Sequence, residues 1–542
     1  MHTFGRAALA AALALVTSLS LAPVAAAQSE TPGPVEPTPR STLAQPEVFG
    51  FLPYWELSRG PSVDLDVLTT LAFFGVEAGR DGRLMREDDE GQPTPGWAGW
   101  TSEEFALVRE RAQAAGVRVV LTVERFSWTT AGKRATRRLL RDADARATLA
   151  REIVEVVVAA GADGVNLDVE PLPRGVRGQF VRLVRKLRRA LDAVDPSLQL
   201  TFDLTPDVTS FPLRRLVAEG AADAAVLMGY EYRTPSSRIA GSVAPLRDPD
   251  GLDVRTSIRR ALQRAAADKV ILAMPWYGRA WSTRTNEPDS RTRQRERFIA
   301  PSTAFYRVSV PRAAIAGRRW DKQQGSAWSV YRSRACATCP LSWRQLWYDD
   351  VDSVLAKVGL ARRRDLRGVG IWALGYEGQR PELWAALRYG LQRAPDGHPP
   401  VGEASVDPGS VIGSHAGRPV VGQTAMLRLS ASDGDDGSGL AFVRLSSRGR
   451  LAKGGALQHG TTFPSVGAVG ITLPDAVAVG DVFIPGGADG AGEADASPAP
   501  SAAPSPPAAS ELEPVTIHVQ WRDVAGNWSA PVSVKVWLDP RA

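Results

Sequence analysis

The stretch that decides the fold is Gly161-Ala-Asp-Gly-Val-Asn-Leu-Asp-Val-Glu170. As a β-strand it alternates throughout. Val165, Leu167 and Val169 face one side, and Asn166, Asp168 and Glu170 face the other. Apolar elements flank the strand on both sides, so a merely structural strand would carry Val or Ile at the polar positions. A buried carboxylate needs a partner or a purpose. The polar face reads as chemistry.

Working outward, apolar strands are predicted before it at residues 48–55, 70–77 and 117–123. Thr101-Ser-Glu-Glu104 is a capping box opening a helix that ends at Gly116, and a second helix runs from about Arg138 to Gly161. After the decisive strand come a helix at 177–191, strands at 198–204 and 224–230, a helix at 256–267 and a strand at 269–277. A last strand at 368–374 and a helix at 382–391 finish the set. Eight apolar strands, most of them separated by helical patterns, predict an α/β fold, a closed parallel (β/α)8 TIM barrel. No Gly-rich phosphate loop supports the open doubly wound alternative. The segment 279–348 is longer than a βα loop needs and is expected to be an insertion after the seventh strand.

With 542 residues, the chain exceeds the barrel. Residues 1–27 read as a secretory signal, with Arg6 before an apolar run and small residues at Ala25-Ala26-Ala27. Residues 28–46 are a Pro/Thr/Glu-rich stalk, 47–393 the barrel, 394–420 a Pro/Gly/Ser linker and 421–541 a β-sandwich. Within the sandwich, residues 485–512 are expected to be a disordered insert. Its turns Asp433-Gly-Asp-Asp-Gly-Ser-Gly439 and Asp523-Val-Ala-Gly-Asn527 resemble those of bacterial immunoglobulin-like modules. Asp433, Asp435 and Asp436 lack EF-hand spacing and read as a solvated turn rather than a calcium site. Cys336 and Cys339 are the only cysteines; in an oxidising compartment they suit a short disulfide better than zinc or redox chemistry.

The net charge of +6 is a mild basic excess that suits an anionic cell-wall surface as well as nucleic acid. No nucleic-acid motif accompanies it, so a nucleic-acid partner is not expected. The mature chain is read as exported, without an integral membrane segment, and monomeric. The basic helix bearing Arg182, Arg185, Lys186, Arg188 and Arg189 reads as a solvated face.

Asp163-Gly-Val-Asn166-Leu-Asp168-Val-Glu170 resembles the signature Asp-x-x-Asp-x-Asp-x-Glu of glycoside hydrolase family 18, the chitinase-like family, with Asn166 in place of one Asp. That departure is similar to a branch of peptidoglycan-directed N-acetylglucosaminidases. Three further motifs follow in the family's order. Met228-Gly-Tyr230-Glu231 resembles Met-x-Tyr-Asp, Pro275-Trp-Tyr277-Gly-Arg279-Ala-Trp281 resembles Pro-x-Tyr-Gly-Arg-x-Trp, and Trp372-Ala-Leu-Gly-Tyr376-Glu377 resembles the aromatic floor. Where the family often has Gly-Gly after the third strand, this chain has Glu124-Arg125 followed by Phe126 and Trp128.

The resemblance implies hydrolysis of β-1,4 bonds in N-acetylglucosamine-containing chitin, chitooligosaccharide or peptidoglycan, without cofactor or metal. It implies Glu170, Asp168 and Tyr230 as catalytic residues. Asn166, Asp163, Met228, Glu231, Tyr277, Arg279, Trp372 and Tyr54 are implied as substrate-binding. Asp168 and Glu170 lie about 6.6 Å apart along one face of one strand, a poor placement for carboxyls that must attack opposite faces of a sugar. One acid plus a nucleophile supplied by the substrate fits better, and the resemblance implies that this nucleophile is the carbonyl oxygen of the substrate's acetamido group. Asn166 is expected to donate a hydrogen bond to Asp168, keeping it ionised to lower pH than an Asp–Asp pair would. The rival reading is a non-catalytic lectin on the same barrel, which the presence of Glu170 disfavours.

Overall fold

The computed structural model describes residues 46–249, 251–295, 297–392, 396–434, 436–447, 461–463, 467–473, 477–478 and 512–542. The expected signal segment, the stalk before its last residue and the insert before residue 512 lie outside them.

Seven strands lead into the barrel: β1 (Glu47–Pro53), β2 (Thr70–Glu77), β3 (Arg118–Phe126), β4 (Gly164–Glu170), β5 (Gln199–Leu204), β6 (Ala224–Met228) and β7 (Val270–Pro275). A five-stranded sheet is inserted next, from β8 (Tyr277–Thr283), β9 (Ser302–Phe305), β10 (Arg319–Asp321), β11 (Ser326–Ser333) and β12 (Ser342–Tyr348). The eighth barrel strand is β13 (Gly368–Trp372), which pairs with both β1 and β7 and closes the ring. Helices α1 (Pro95–Trp100) and α2 (Glu103–Ala114) precede β3, and α3 (Thr130–Arg141) and α4 (Ala143–Ala159) precede β4. Then come α5 (Arg177–Asp192), α6 (Val254–Leu262), α7 (Tyr306–Ala316) within the insertion, α8 (Val351–Arg363) and α9 (Glu382–Gln392).

Several boundaries differ from expectation for local reasons. The first strand stops at Pro53 and turns into a 3-10 stretch, Tyr54–Ser62. The cap of α2 is Ser102, whose hydroxyl accepts from Phe105 N, and not Thr101, which donates to Trp97 O. The helix expected from Arg138 is two helices, because Asp142 ends one and caps the next by accepting from Asp144 N and Ala145 N. The sixth strand ends at Met228 and the seventh at Pro275. Arg188 leaves the solvated face of α5: it is buried and donates to Leu198 O at 2.8 Å.

A polar plug closes the N-terminal end of the barrel. Glu47 is wholly buried and accepts from Thr70 Oγ1 at 2.9 Å, Gln199 Nε2 at 2.8 Å, Arg118 Nη2 at 3.3 Å and Arg367 Nε at 2.5 Å. Burial opposes its charge, but the two guanidiniums hold its carboxyl below the usual range. Gly164 opens β4 at φ +151°, where a Cβ would lie 2.1 Å from Gln199 O, so only glycine lets β4 and β5 meet there. At this end the chain needs charge balance; at the other end it leaves carboxyls unbalanced.

Strands β14 (Val401–Val406), β15 (Val411–His415) and β16 (Arg418–Val421) occupy much of the segment expected as linker. Its Pro and Gly residues sit in turns between short strands. The all-β part continues with β17 (Thr424–Ser432), β18 (Leu440–Ser446), β19 (Thr461–Phe463), β20 (Gly467–Thr472), β21 (Val477–Ala478), β22 (Glu513–Asp523) and β23 (Val532–Leu538). These form a four-stranded and a six-stranded sheet that share a core containing Leu427, Val443, Ile517 and Trp521. The sheets meet the barrel through Arg522, which donates to Asp352 Oδ1 at 3.1 Å, and through Arg318, which bonds Asp350 and Asp352. Both guanidiniums also lie over Phe442. Asp433 gathers with Asp396 and Asp523, not with Asp436, which is exposed; Asp435 lies outside the described residues. Cys336 and Cys339 are disulfide-bonded in the β11–β12 turn.

Candidate active site

The C-terminal ends of the barrel strands open into a cleft of about 750 Å³. Phe51, Tyr54, Trp55, Phe74, Phe126, Trp128, Trp372 and Tyr376 give it aromatic walls, and Glu124, Asp168, Glu170, Asp203 and Glu231 give it acids. Trp372 ends β13 and packs edge-on against Phe74, with ring centres 4.6 Å apart, and against Phe51 at 5.6 Å. Tyr230 stacks 6.5 Å from the same indole. Trp55 and Trp128 keep 44% and 61% of their surface exposed, so both aromatic faces at the rim are free to meet a ligand.

Parallel register explains why the acids collect in layers. β3 places Thr122 opposite Asn166, Glu124 opposite Asp168 and Phe126 opposite Glu170. β5 places Thr201 opposite Asn166 and Phe202 opposite Leu167, which sets Asp203 level with Asp168. Glu124, Asp168 and Asp203 therefore form one layer across three strands, and Glu170 stands one layer nearer the mouth.

Burial penalises the charged form of every member. Glu170 is pushed up to about 7 by burial and then by Glu231. Glu124 is pushed up to about 7 by burial, Glu77 and Glu170. Asp168 is driven well above the usual carboxyl range by burial, then Glu170, Asp203 and Glu124. Asp203 is likewise raised by burial, against the hydrogen bond from Asn166. Burial and the surrounding acids also raise Tyr230, which stays a neutral O–H donor.

The expected site residues divide. Asp168, Glu170, Met228, Tyr230, Glu231, Tyr277, Arg279, Trp372 and Tyr54 all line the cleft. Glu231, at φ +60°, is held by Tyr277 Oη at 2.6 Å and Arg279 Nη2 at 2.5 Å, which spends the arginine's charge on a wall residue. Asp163 does not belong to the cleft. It precedes β4 at the opposite end of the strand and accepts from Val119 N at 2.7 Å and Gln113 Nε2 at 3.0 Å. Seven residues of extended chain, about 23 Å, separate it from Glu170.

Asn166 is wholly buried beneath the acids and does not line the cleft. Its amide donates to Asp203 Oδ2 at 2.9 Å and its carbonyl accepts from Thr201 Oγ1 at 2.7 Å. The expected bond to Asp168 is absent among the described residues, and Asp168 is raised rather than kept ionised to low pH. Asp203 was not anticipated as a site residue, and Glu124 was read only as part of the departure after the third strand, not as a member of the acid layer. The alternation Thr201-Phe-Asp203 on an otherwise apolar strand carries the same signal as Asn166-Leu-Asp168 and would have found Asp203.

A closed parallel barrel with acids raised toward neutrality over an aromatic floor defines a sugar-hydrolase architecture. The chain belongs to the family described as Glycosyl hydrolases family 18, whose model matches residues 47–377. It is a glycosyl hydrolase. It is 23% identical over 267 residues to the di-N-acetylchitobiase of Mus musculus, covering 45% of this chain and 71% of the mouse protein. It is also 23% identical over 328 residues to the cortical fragment-lytic enzyme of Bacillus subtilis (strain 168), covering 59% and 67%. The solved family 18 chitinase of Cycas revoluta in complex with (GlcNAc)4 superposes with a TM-score of 0.53 at 21% identity, covering 64% of this chain and 99% of that one. That likeness supports the barrel fold. No helix among the described residues is long and apolar enough to cross a membrane.

Proposed function

We propose that this enzyme cleaves β-1,4 bonds of N-acetylglucosamine-containing glycans, chitin, chitooligosaccharide or peptidoglycan, with retention and with the substrate's acetamido group as nucleophile. The observation that carries this reading is the stacking of Asp168 beneath Glu170 on one strand face, with Glu124 and Asp203 level with Asp168. These carboxyls lie below the acid in the barrel and not across a sugar ring from it, where an ordinary second carboxyl would have to stand.

In this reading a sugar rests on Trp372, and Glu170, half protonated near neutral pH, gives its proton to the leaving glycosidic oxygen. The acetamido carbonyl oxygen attacks the anomeric carbon, oriented by the Tyr230 hydroxyl. Asp168 accepts from the acetamido N–H and stabilises the positive oxazolinium ion. Glu170 then takes a proton from water as water opens the ring. The relatives' names, a di-N-acetylchitobiase and a cortical fragment-lytic enzyme, support the substrate class. The basic excess and residues 1–27 support export to a cell-wall setting.

Mass spectrometry of products from chitin oligosaccharides and purified wall glycan, run side by side, tests the reading. Cleavage of either after an N-acetylglucosamine unit supports it. Cleavage of neither overturns it.

A further inference from the structure

We propose that Asp203 is a positioning residue for Asp168: the two side chains hold one proton between them, and Asp203 takes it when Asp168 must be anionic beneath the substrate. The inference rests on the reaction proposed above and assigns a role to a residue outside the motif strand.

Three observations carry it. The register of β4 and β5 sets the two side chains level on neighbouring strands, both facing the barrel interior. Each is buried, with 2% and 3% of its surface exposed. Each has one buried oxygen, Oδ1, without a hydrogen-bond partner among the described residues. Two buried carboxyls level on neighbouring strands, each with one unpartnered oxygen, repel each other as anions and are relieved by one shared proton. Asn166 decides which oxygen of Asp203 is left over. Its amide occupies Asp203 Oδ2, and Thr201 fixes the amide, so Oδ1 is the Asp203 oxygen left to carry or share a proton. The charged and titratable groups around the pair are Glu124 from β3, Glu170 from β4 and Tyr230 after β6. None of them brings a cation, so a proton is what these groups leave the pair to be stabilised by.

The proton bookkeeping closes. When Glu170 delivers its proton to the leaving oxygen, positive charge appears on the substrate above Asp168. The Asp168 O–H bond breaks and an Asp203 O–H bond forms, so the pair keeps a charge of minus one while its negative end moves to the substrate side. The reverse shift restores the resting state when the intermediate is hydrolysed.

The test uses Asp203→Asn, which is isosteric and still accepts from Asn166, and the exchange variant Asn166→Asp/Asp203→Asn, which returns a buried carboxyl one layer below Asp168 on β4. Infrared difference spectra of the full chain, labelled with ¹³C at the aspartate carboxyls, read the proton directly without substrate. The expected result is a protonated-aspartate carbonyl band at neutral pH in the wild type, lost in Asp203→Asn and in Asp168→Asn and regained in the exchange variant. On a glycan that the wild type cleaves, the acid limb of kcat/KM should move down by about one pH unit or more in Asp203→Asn and return in the exchange variant. A band that persists in either single variant would mean that each carboxyl is protonated alone, and would overturn the proposal. So would a pH profile of Asp203→Asn superimposable on that of the wild type. A wild type that cleaves no glycan defeats the proposed reaction, while the spectra still decide the shared proton.

Discussion

Replacing Asn166 by Asp removes the one donor that Asp203 has among the described residues and adds a third carboxyl to a buried pair. The wild-type amide donates to Asp203 Oδ2 at 2.9 Å and accepts from Thr201 Oγ1 at 2.7 Å. An aspartate keeps the second bond but makes the first only when protonated. In the unfolded chain it ionises near its ordinary value of about 3.9. In the folded chain, against Asp203 and Asp168, it must stay neutral well above that. The folded state then binds one proton more than the unfolded state, so stability falls as pH rises above about 4, by about 1.4 kcal/mol per pH unit. Between pH ~4 and ~6 the variant should lose about 2.7 kcal/mol relative to the wild type, roughly 2–4 °C in Tm for a chain of this size. Below pH ~4 both states are protonated, the new O–H replaces the amide donor, and the two proteins should melt together. Calorimetry of both proteins across this range measures the difference directly. Parallel Tm–pH curves would refute the reasoning, because they would mean that the new carboxyl ionises in place and that the layer around Asp203 is not short of donors.

Three further outcomes are expected. Glu170 must be protonated to act and is pushed up to about 7, so kcat/KM should fall about tenfold per pH unit above ~7; a profile flat to pH ~9 would remove it as the acid. A glycan with every 2-amino group deacetylated lacks the internal nucleophile and should not be cleaved in an assay that releases sugars from its acetylated form. Lys357 and Asp349 make a buried ion pair at 2.8 Å, so Lys357→Met should strand Asp349 and cost about 3–5 kcal/mol, read as a Tm drop that Lys357→Met/Asp349→Leu reverses.

The barrel was legible because the strands are mainly apolar on both faces away from the N-terminal polar plug and the C-terminal cleft, and Asn166, Asp168 and Glu170 interrupt one strand in strict alternation. The cleft residues read from strand ends also fall where barrel geometry puts them. What the sequence hid was register. Asp163 shares the motif with Glu170 but sits a full strand length away, and spacing alone does not say which end of the barrel a residue occupies. Asn166 bonds diagonally across to Asp203 on β5 and not along its own strand to Asp168, a contact between strands that spacing within one motif does not reveal. The segment at 394–420 read as linker because short edge strands carry Gly and Pro as readily as loops do. The cap of α2 moved by one residue because Thr101 is held by Trp97 O.

The central claim is that Glu170 supplies the proton for cleavage beside an N-acetylglucosamine unit. The direct measurement is single-turnover product formation from chitooligosaccharides by the wild type and Glu170→Gln, with binding of the same oligosaccharides measured by calorimetry. The amide keeps the shape of the acid and removes its proton. Turnover should therefore fall by about 10²–10⁴-fold with the dissociation constant nearly unchanged. A Glu170→Gln protein that releases product at the wild-type rate would contradict the assignment outright.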